Sequence, residues 1–314
     1  MDNGEHALYQ IDLELQTTHP ELSRRAVLAD VRDEERVAHV FTDETPDLVF
    51  HAAAFKHVPL SEQNPHEAVL TNVIGSRNIA RACRSHGVGT MVLISTDKAV
   101  NPSSVMGVSK RLAEMYCQAL GRDAGTSETR LVAVRFGNVL GSTGSVVPLF
   151  QKQIAAGGPV TVTDPNTTRF FMTTREAVEL VLQASAMDAA DHVPGTVFVL
   201  DMGEPVKIED LARQMIRLVG LQPDKDVEIQ FTGLRPGEKL HEELSHQAEG
   251  LTPTTQQGIL RAAPRTMPLA DLDREFDALQ DAARREDLSA VVSLIRQTVP
   301  EFTPHNVDIP AVAQ

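Results

Sequence analysis

Short apolar runs that do not alternate with polar residues are what most narrow the possible folds of this chain. They fall at residues 26–30, 48–53, 91–95 and 131–136. A strand with one face in water alternates apolar and polar side chains, whereas a strand that is apolar throughout is covered on both faces. The first three runs each lead into a helical pattern, at 33–41, at 67–86 after a loop, and at 109–120. Strand and helix alternating at this spacing predict βαβ units around a parallel sheet, an α/β Rossmann-like architecture with right-handed crossovers. Ligands are then expected beyond the carboxyl ends of the strands.

From about Gly141 the pattern loosens. Helical stretches at 150–156 and 174–187 flank a polar, hairpin-like segment at 159–169. Residues 196–200 read as a further buried strand, 208–219 as an amphipathic helix, and the last forty as charged helices that fray into a tail. The expected organisation is a partial dinucleotide-binding domain over 1–140, completed by about 172–202. A smaller mixed α/β substrate lobe is expected from 141–171 and 203–300, with a flexible tail at 301–314.

Composition excludes several functions. Twenty-nine basic against 43 acidic residues give a formal charge of -14, which argues against nucleic-acid binding by bulk electrostatics. With aromatics at 4% and no Trp, base-stacking platforms are not expected either. Cys83 and Cys117 are too few for a disulfide framework or a Cys-rich metal site, and they suit a reducing, cytoplasmic setting. His51 and His57 lack a carboxylate or thiol at ligand spacing, so no metal is expected. No run has the length of a membrane span.

Chemistry collects after the 91–95 run, at Ser95-Thr96-Asp97-Lys98, with Met106 and Lys110 following. Met106 and Lys110 stand four apart and share a helix face. On spacing alone this is equally an acid–base cluster at a strand end or a solvated, capped turn. Ala52, Ala53 and Ala54 are small enough for a pyrophosphate to approach the backbone, or simply pack tightly.

The stretch Ser95-Thr-Asp-Lys-Ala-Val-Asn-Pro102 with Met106-Gly107 and Lys110 resembles the nucleotide-sugar 4,6-dehydratases of bacterial polysaccharide biosynthesis, a branch of the extended short-chain dehydrogenase/reductase family. The resemblance extends from Asp2 to about Glu243. It takes in Asp30-Val-Arg-Asp33, His51-Ala-Ala-Ala-Phe-Lys-His-Val-Pro59, Arg135-Phe-Gly-Asn-Val-Leu-Gly141 and Gly233-Leu-Arg-Pro-Gly-Glu-Lys-Leu-His-Glu-Glu243. It implies NAD, with NADP as the alternative, a UDP-sugar substrate such as UDP-N-acetylglucosamine, and a homo-oligomer. Complete members of the family can be anchored to the inner membrane.

The family reaction oxidises the sugar at C4, removes the C5 proton, expels the C6 hydroxyl as water and returns the hydride to C6. By resemblance Asp97 is the acid, Lys98 the base with a depressed pKa, Thr96 a hydrogen-bonding partner near C4, and Lys110 a contact to the nicotinamide ribose. Met106 stands where most of the superfamily has Tyr, and it has no proton to give. The cofactor side is expected at Asp2, Asp30, Val31, Ala52, Ala53, Lys56 and Lys110. The substrate side is expected at Asn138, Arg169, Arg235 and Glu238.

No G-x-G-x-x-G turn opens the chain. The resemblance therefore implies an N-terminal truncation that omits the family's first strand, Gly-rich turn and first helix. Two other functions stand beside dehydration. One is an epimerase on the same scaffold; the other is a silent sugar-nucleotide-binding or interaction module.

Overall fold

A computed structural model of the chain describes residues 1–123, 128–187, 193–246 and 249–304. The apolar runs assemble into a six-stranded sheet. Strands β1 (Leu48–His51), β2 (Thr90–Ile94) and β3 (Arg130–Arg135) are parallel, and Val197–Leu200 lies parallel beside β3. Ile259–Ala262 then pairs antiparallel with Val197–Leu200, and Thr252–Pro253 closes that edge. Met91, Val92, Leu93 and all of Val197–Leu200 are buried, as uninterrupted apolar strands require.

Helices cover both faces. The first six are α1 (Glu5–Thr18), α2 (Glu34–Glu44), α3 (Val58–Gln63), α4 (Pro65–Ala68), α5 (Gly75–Ser85) and α6 (Val105–Arg122). On one face Ile79 of α5 and Leu112 and Tyr116 of α6 pack with Leu272 and Phe276 of the helix Leu269–Arg284. On the other, Val92, Val132 and Val134 meet Val181 and Ala184 of the helix Thr174–Ser185. A separate small core of Phe150, Ile154, Val160 and Ile216 builds the lobe beyond the strand ends.

Several expectations need correcting. Residues 26–30 form no strand of the sheet; Leu28 makes one parallel bridge with Asp2, and β1 is left as the sheet's edge with Leu48 and Phe50 exposed. The segment 159–169 is not a hairpin. Val160–Val162 pairs in parallel with Ile229–Phe231, and Thr168–Arg169 pairs with Val206–Lys207, so both partners are distant in sequence. Residues 259–298 belong with the central sheet rather than the outer lobe, because Ile259–Ala262 extends it and the two following helices share its core. Of the expected tail, Phe302 is buried and the Thr303 N–H donates to the Pro102 carbonyl at 3.0 Å, while residues 305–314 lie outside the described residues.

Candidate active site

The chain leaves the sheet after β2 and is held at once by its neighbour. The N–H groups of Ser95 and Asp97 donate to the carbonyls of Val134 (2.8 Å) and Phe136 (3.1 Å). Beneath this turn, Ser95 Oγ donates to Glu114 of α6 at 2.6 Å, and Arg135 clamps Glu114 with bonds of 2.8 and 2.7 Å. Arg135 also reaches Glu249 at 2.7 Å. Burial disfavours the Glu114 carboxylate, yet Arg135 and Arg111 outweigh it and hold the group below the usual carboxylate range. The strand end and α6 are thus joined by a buried ionic network.

Helix α6 begins at Ser104, whose Oγ accepts the Gly107 N–H at 3.0 Å. A Cβ on Gly107 would lie 2.3 Å from the Lys98 carbonyl oxygen, so only glycine lets the helix press against the turn. Met106 and Lys110 consequently line the same cavity as Thr96 and Lys98. That cavity, of about 680 Å³, lies beyond the carboxyl ends of the strands, where open α/β sheets bind ligands.

Thr96 Oγ1 donates to Asp97 Oδ1 at 2.8 Å, and Lys98 Nζ donates to the same oxygen at 3.0 Å and to Asn138 Oδ1 at 3.2 Å. Asp97 itself is fully buried behind the cavity wall, and its Oδ2 has no hydrogen-bond partner among the described residues. The two lysines differ. For Lys98, burial lowers the pKa, but the carboxylates of Asp97 and Glu242 more than reverse this and raise it. Lys110 has only weak carboxylate help, and burial depresses it to about 8. The depressed amine is therefore Lys110, not Lys98 as the sequence leads one to expect.

The remaining site residues divide. Ala52, Lys56, Arg169, Arg235 and Glu238 all line the cavity. Lys56 Nζ donates to the Thr143 carbonyl at 2.8 Å and so ties down the loop that follows Gly141. Four bonds of the Arg169 guanidinium go to protein, to Glu238 (2.9 Å) and to the carbonyls of Thr168, Lys239 and Leu240. Arg235 stays mostly exposed, braced by Glu238 at 3.2 Å.

Ala53, Asp2, Asp30 and Val31 are not among the cavity walls. Asp30 accepts from the Arg32 backbone at 2.9 Å and from its guanidinium, which holds the carboxyl below its ordinary range. Val31 is buried against Gly75, and Asp2 bonds the Gly4 N–H at 2.7 Å. Asn72 braces the loop after β1, accepting from the Phe55 N–H at 2.8 Å and donating to its carbonyl at 3.0 Å.

Two acidic residues of this site went unassigned in the sequence. Glu242 is buried, lines the cavity, and places Oε1 3.9 Å from both Lys98 Nζ and Arg169 Nε. Burial, ahead of the opposing pull of Lys98, raises its pKa. Glu62 of α3 accepts the Val105 N–H at 2.6 Å and would meet a Cβ on Gly237 at 2.8 Å. Beside it, direct hydrogen bonds tie residues 100–105 to 237–243. Lys239 Nζ donates to the Val100 carbonyl (2.9 Å), Ser103 Oγ to the Gly237 carbonyl (3.0 Å) and Asn101 to Glu243 (2.6 Å). The only signal for Glu242 was its place beside Glu238 and Lys239 in the Gly233–Glu243 stretch.

A parallel-dominated sheet with a polar cluster at the carboxyl end of β2 defines a Rossmann-like protein of the short-chain dehydrogenase/reductase class. The chain belongs to the polysaccharide biosynthesis protein family, whose sequence model matches residues 1–264. It is 53% identical over 250 residues to the capsular polysaccharide biosynthesis protein CapD of Staphylococcus aureus, covering 79% of this chain and 41% of that protein. At 38% identity it resembles both a Campylobacter jejuni UDP-N-acetylglucosamine 4,6-dehydratase (inverting), covering 69% of this chain and 61% of the relative, and a Rickettsia massiliae UDP-glucose 4-epimerase, covering 76% and 67%. Among solved structures, Pen from Bacillus thuringiensis superposes with a TM-score of 0.75 at 34% identity, over 85% of this chain and 80% of that one. The chain spans less than half the length of CapD.

Proposed function

We propose that the chain carries the catalytic residues of a nucleotide-sugar 4,6-dehydratase acting on a UDP-N-acetylhexosamine in glycan biosynthesis. The observation that carries this reading is the Thr96–Asp97–Lys98 cluster opening onto the cavity at the end of β2. An elimination needs a base for the C5 proton and an acid for the departing hydroxyl. Lys98 is the group with access to the cavity and is our proposed base. Asp97 lies behind the wall, so we assign its acid role through Thr96, whose hydroxyl lines the cavity and donates to Asp97 Oδ1 at 2.8 Å. Once Asp97 has taken the proton that Lys98 gives up, Thr96 can pass its own proton to the departing hydroxyl and be reprotonated by Asp97. Before Lys98 can act it must lose the proton that Asp97 and Glu242 stabilise. Met106 contributes apolar wall and no proton.

The residues present fit the nicotinamide-ribose end of a dinucleotide. Lys110 is buried, faces the cavity beside small Ala52 and Ala54, and makes no hydrogen bond among the described residues. NAD bound there supplies reversible hydride acceptance at the sugar. Lys110 would hold the ribose and add positive charge, while Asn138 keeps Lys98 in place. Asp2, Asp30, Val31 and Ala53 are proposed for the adenosine side. Arg235 and Glu238, on the outer lobe at the cavity rim, are proposed to meet the diphosphate and uridine, with Arg169 holding Glu238.

The test is incubation of the purified protein with NAD and UDP-N-acetylglucosamine, with products read by NMR. A 4-keto-6-deoxy product supports dehydration, and a Asp97→Asn or Lys98→Met variant should then lose about 100-fold or more in rate. An undiminished rate in either variant would overturn the assignment. Formation of the C4 epimer alone would instead support the epimerase reading, which the equally similar Rickettsia relative favours.

A further inference from the structure

Glu242 has a place in the site that the cluster at 96–98 does not explain. It lines the cavity from the segment after Gly237 and is 8% exposed. Its Oε2 has no hydrogen-bond partner among the described residues, and its Oε1 stands 3.9 Å from Lys98 Nζ and 3.9 Å from Arg169 Nε. A buried carboxylate ordinarily takes several hydrogen bonds, so one left at ion-pair distance acts chiefly through its charge. The groups facing it are Lys98 and Asp97 from the turn after β2, Arg169 from the outer lobe, and Lys239 from its own segment.

The charges around Lys98 Nζ make this consequential. Asp97 contacts it at 3.0 Å from behind the wall, Glu242 faces it from the cavity side, and Arg169 opposes both. Four bonds of Arg169 already engage Glu238 and three carbonyls, so its charge is only partly directed to Glu242. We propose that Glu242 is a positioning residue that sets the protonation state of Lys98: ionised, it holds the proton on the amine, and neutralised, it releases Lys98 to serve as a base. The proton balance is simple. With Glu242 neutral, Lys98 passes its proton to Asp97 Oδ1, the carboxylate it already hydrogen-bonds at 3.0 Å, so that a buried ion pair becomes a neutral amine and a neutral acid, and nothing is oxidised or reduced. Low polarity in the site narrows the difference between these two arrangements.

The inference takes its meaning from the proposed role of Lys98, but its test needs neither cofactor nor turnover. Competitive acetylation of the full chain, quantified for Lys98 by peptide mass spectrometry across pH, reports the fraction of free amine. Exposed Lys152 serves as the internal reference. In Glu242→Gln, Lys98 is expected to label about tenfold faster than in the wild type at pH values below its midpoint, with Lys152 unchanged. Glu242→Asp, which keeps the charge but withdraws it by one methylene, is expected to fall between the two. A change below about twofold in folded Glu242→Gln overturns the proposal. Where the Gln variant does not fold, the Asp variant decides by the same criterion. Should neither fold, NMR of the wild type labelled with 13Cε-lysine and 13Cδ-glutamate decides: an inflection at Lys98 that shares its midpoint with the Glu242 carboxyl supports the coupling, and no inflection at that midpoint overturns it. A shifted midpoint in a protein that makes no keto sugar would leave this coupling standing while the dehydratase reading fails.

Discussion

Replacing Lys110 by methionine should stabilise the fold while removing a site residue. The ammonium is buried on α6, and burial drops its pKa from 10.5 to about 8. At about 1.36 kcal/mol per pKa unit, the folded state bears roughly 3 kcal/mol for carrying that charge. The sign follows from proton counting. Below pH 8 both folded and unfolded chains hold the proton, and the whole cost is present; between pH 8 and 10.5 the folded protein releases it first, so stability from this group rises. Methionine has similar length, fits beside Met106 and bears no charge. Urea unfolding at pH 7 should therefore find Lys110→Met more stable by about 3 kcal/mol, with the gap closing towards pH 10.5. The same variant should lose turnover, a trade of function for stability common at binding sites. A variant no more stable than wild type at pH 7, or a gap that ignores pH, would refute the reasoning.

Other consequences can be checked directly. Gly107→Ala drives a Cβ to 2.3 Å from the Lys98 carbonyl, so it should cost about 1–3 kcal/mol in urea unfolding and lower turnover at least about tenfold by displacing the turn. Glu114→Leu leaves the buried Arg135 with Glu249 as its one remaining carboxylate among the described residues and should cost about 3–5 kcal/mol, whereas pairing it with Arg135→Leu should recover part of the loss in a double-mutant cycle. Phe50→Lys, on the exposed edge of β1, should change stability by less than about 1 kcal/mol in urea unfolding.

Much of the central sheet was legible because burial on both faces writes itself into a strand as an unbroken apolar run. Residues 91–95 and 131–136 gave β2 and β3 almost to the residue. The same rule failed at 26–30, because an apolar run becomes a ladder only where a neighbour lies within reach, and there the one bridge is to Asp2. Pairings such as Val160–Val162 with Ile229–Phe231 join segments far apart in sequence, and no local periodicity announces them. Within the site, Thr96, Lys98, Met106 and Lys110 share a strand end and a helix face, so spacing could bring them together. Glu242 could not be found that way, since only the folding of the outer lobe delivers it to Lys98. Nor could sequence anticipate that two carboxylates beside Lys98 would outweigh its burial while Lys110, with less compensation, would be depressed.

The ties from Asn101, Ser103 and Lys239 join the segment after β2 to the stretch carrying Arg235, Glu238 and Glu242. The proposed acid–base turn and the proposed recognition stretch are therefore held together as one unit. A chimera that grafts residues 233–243 from a relative of different sugar preference, leaving 97–105 untouched, would mismatch this seam. Altered selectivity should come only from exchanging both stretches together.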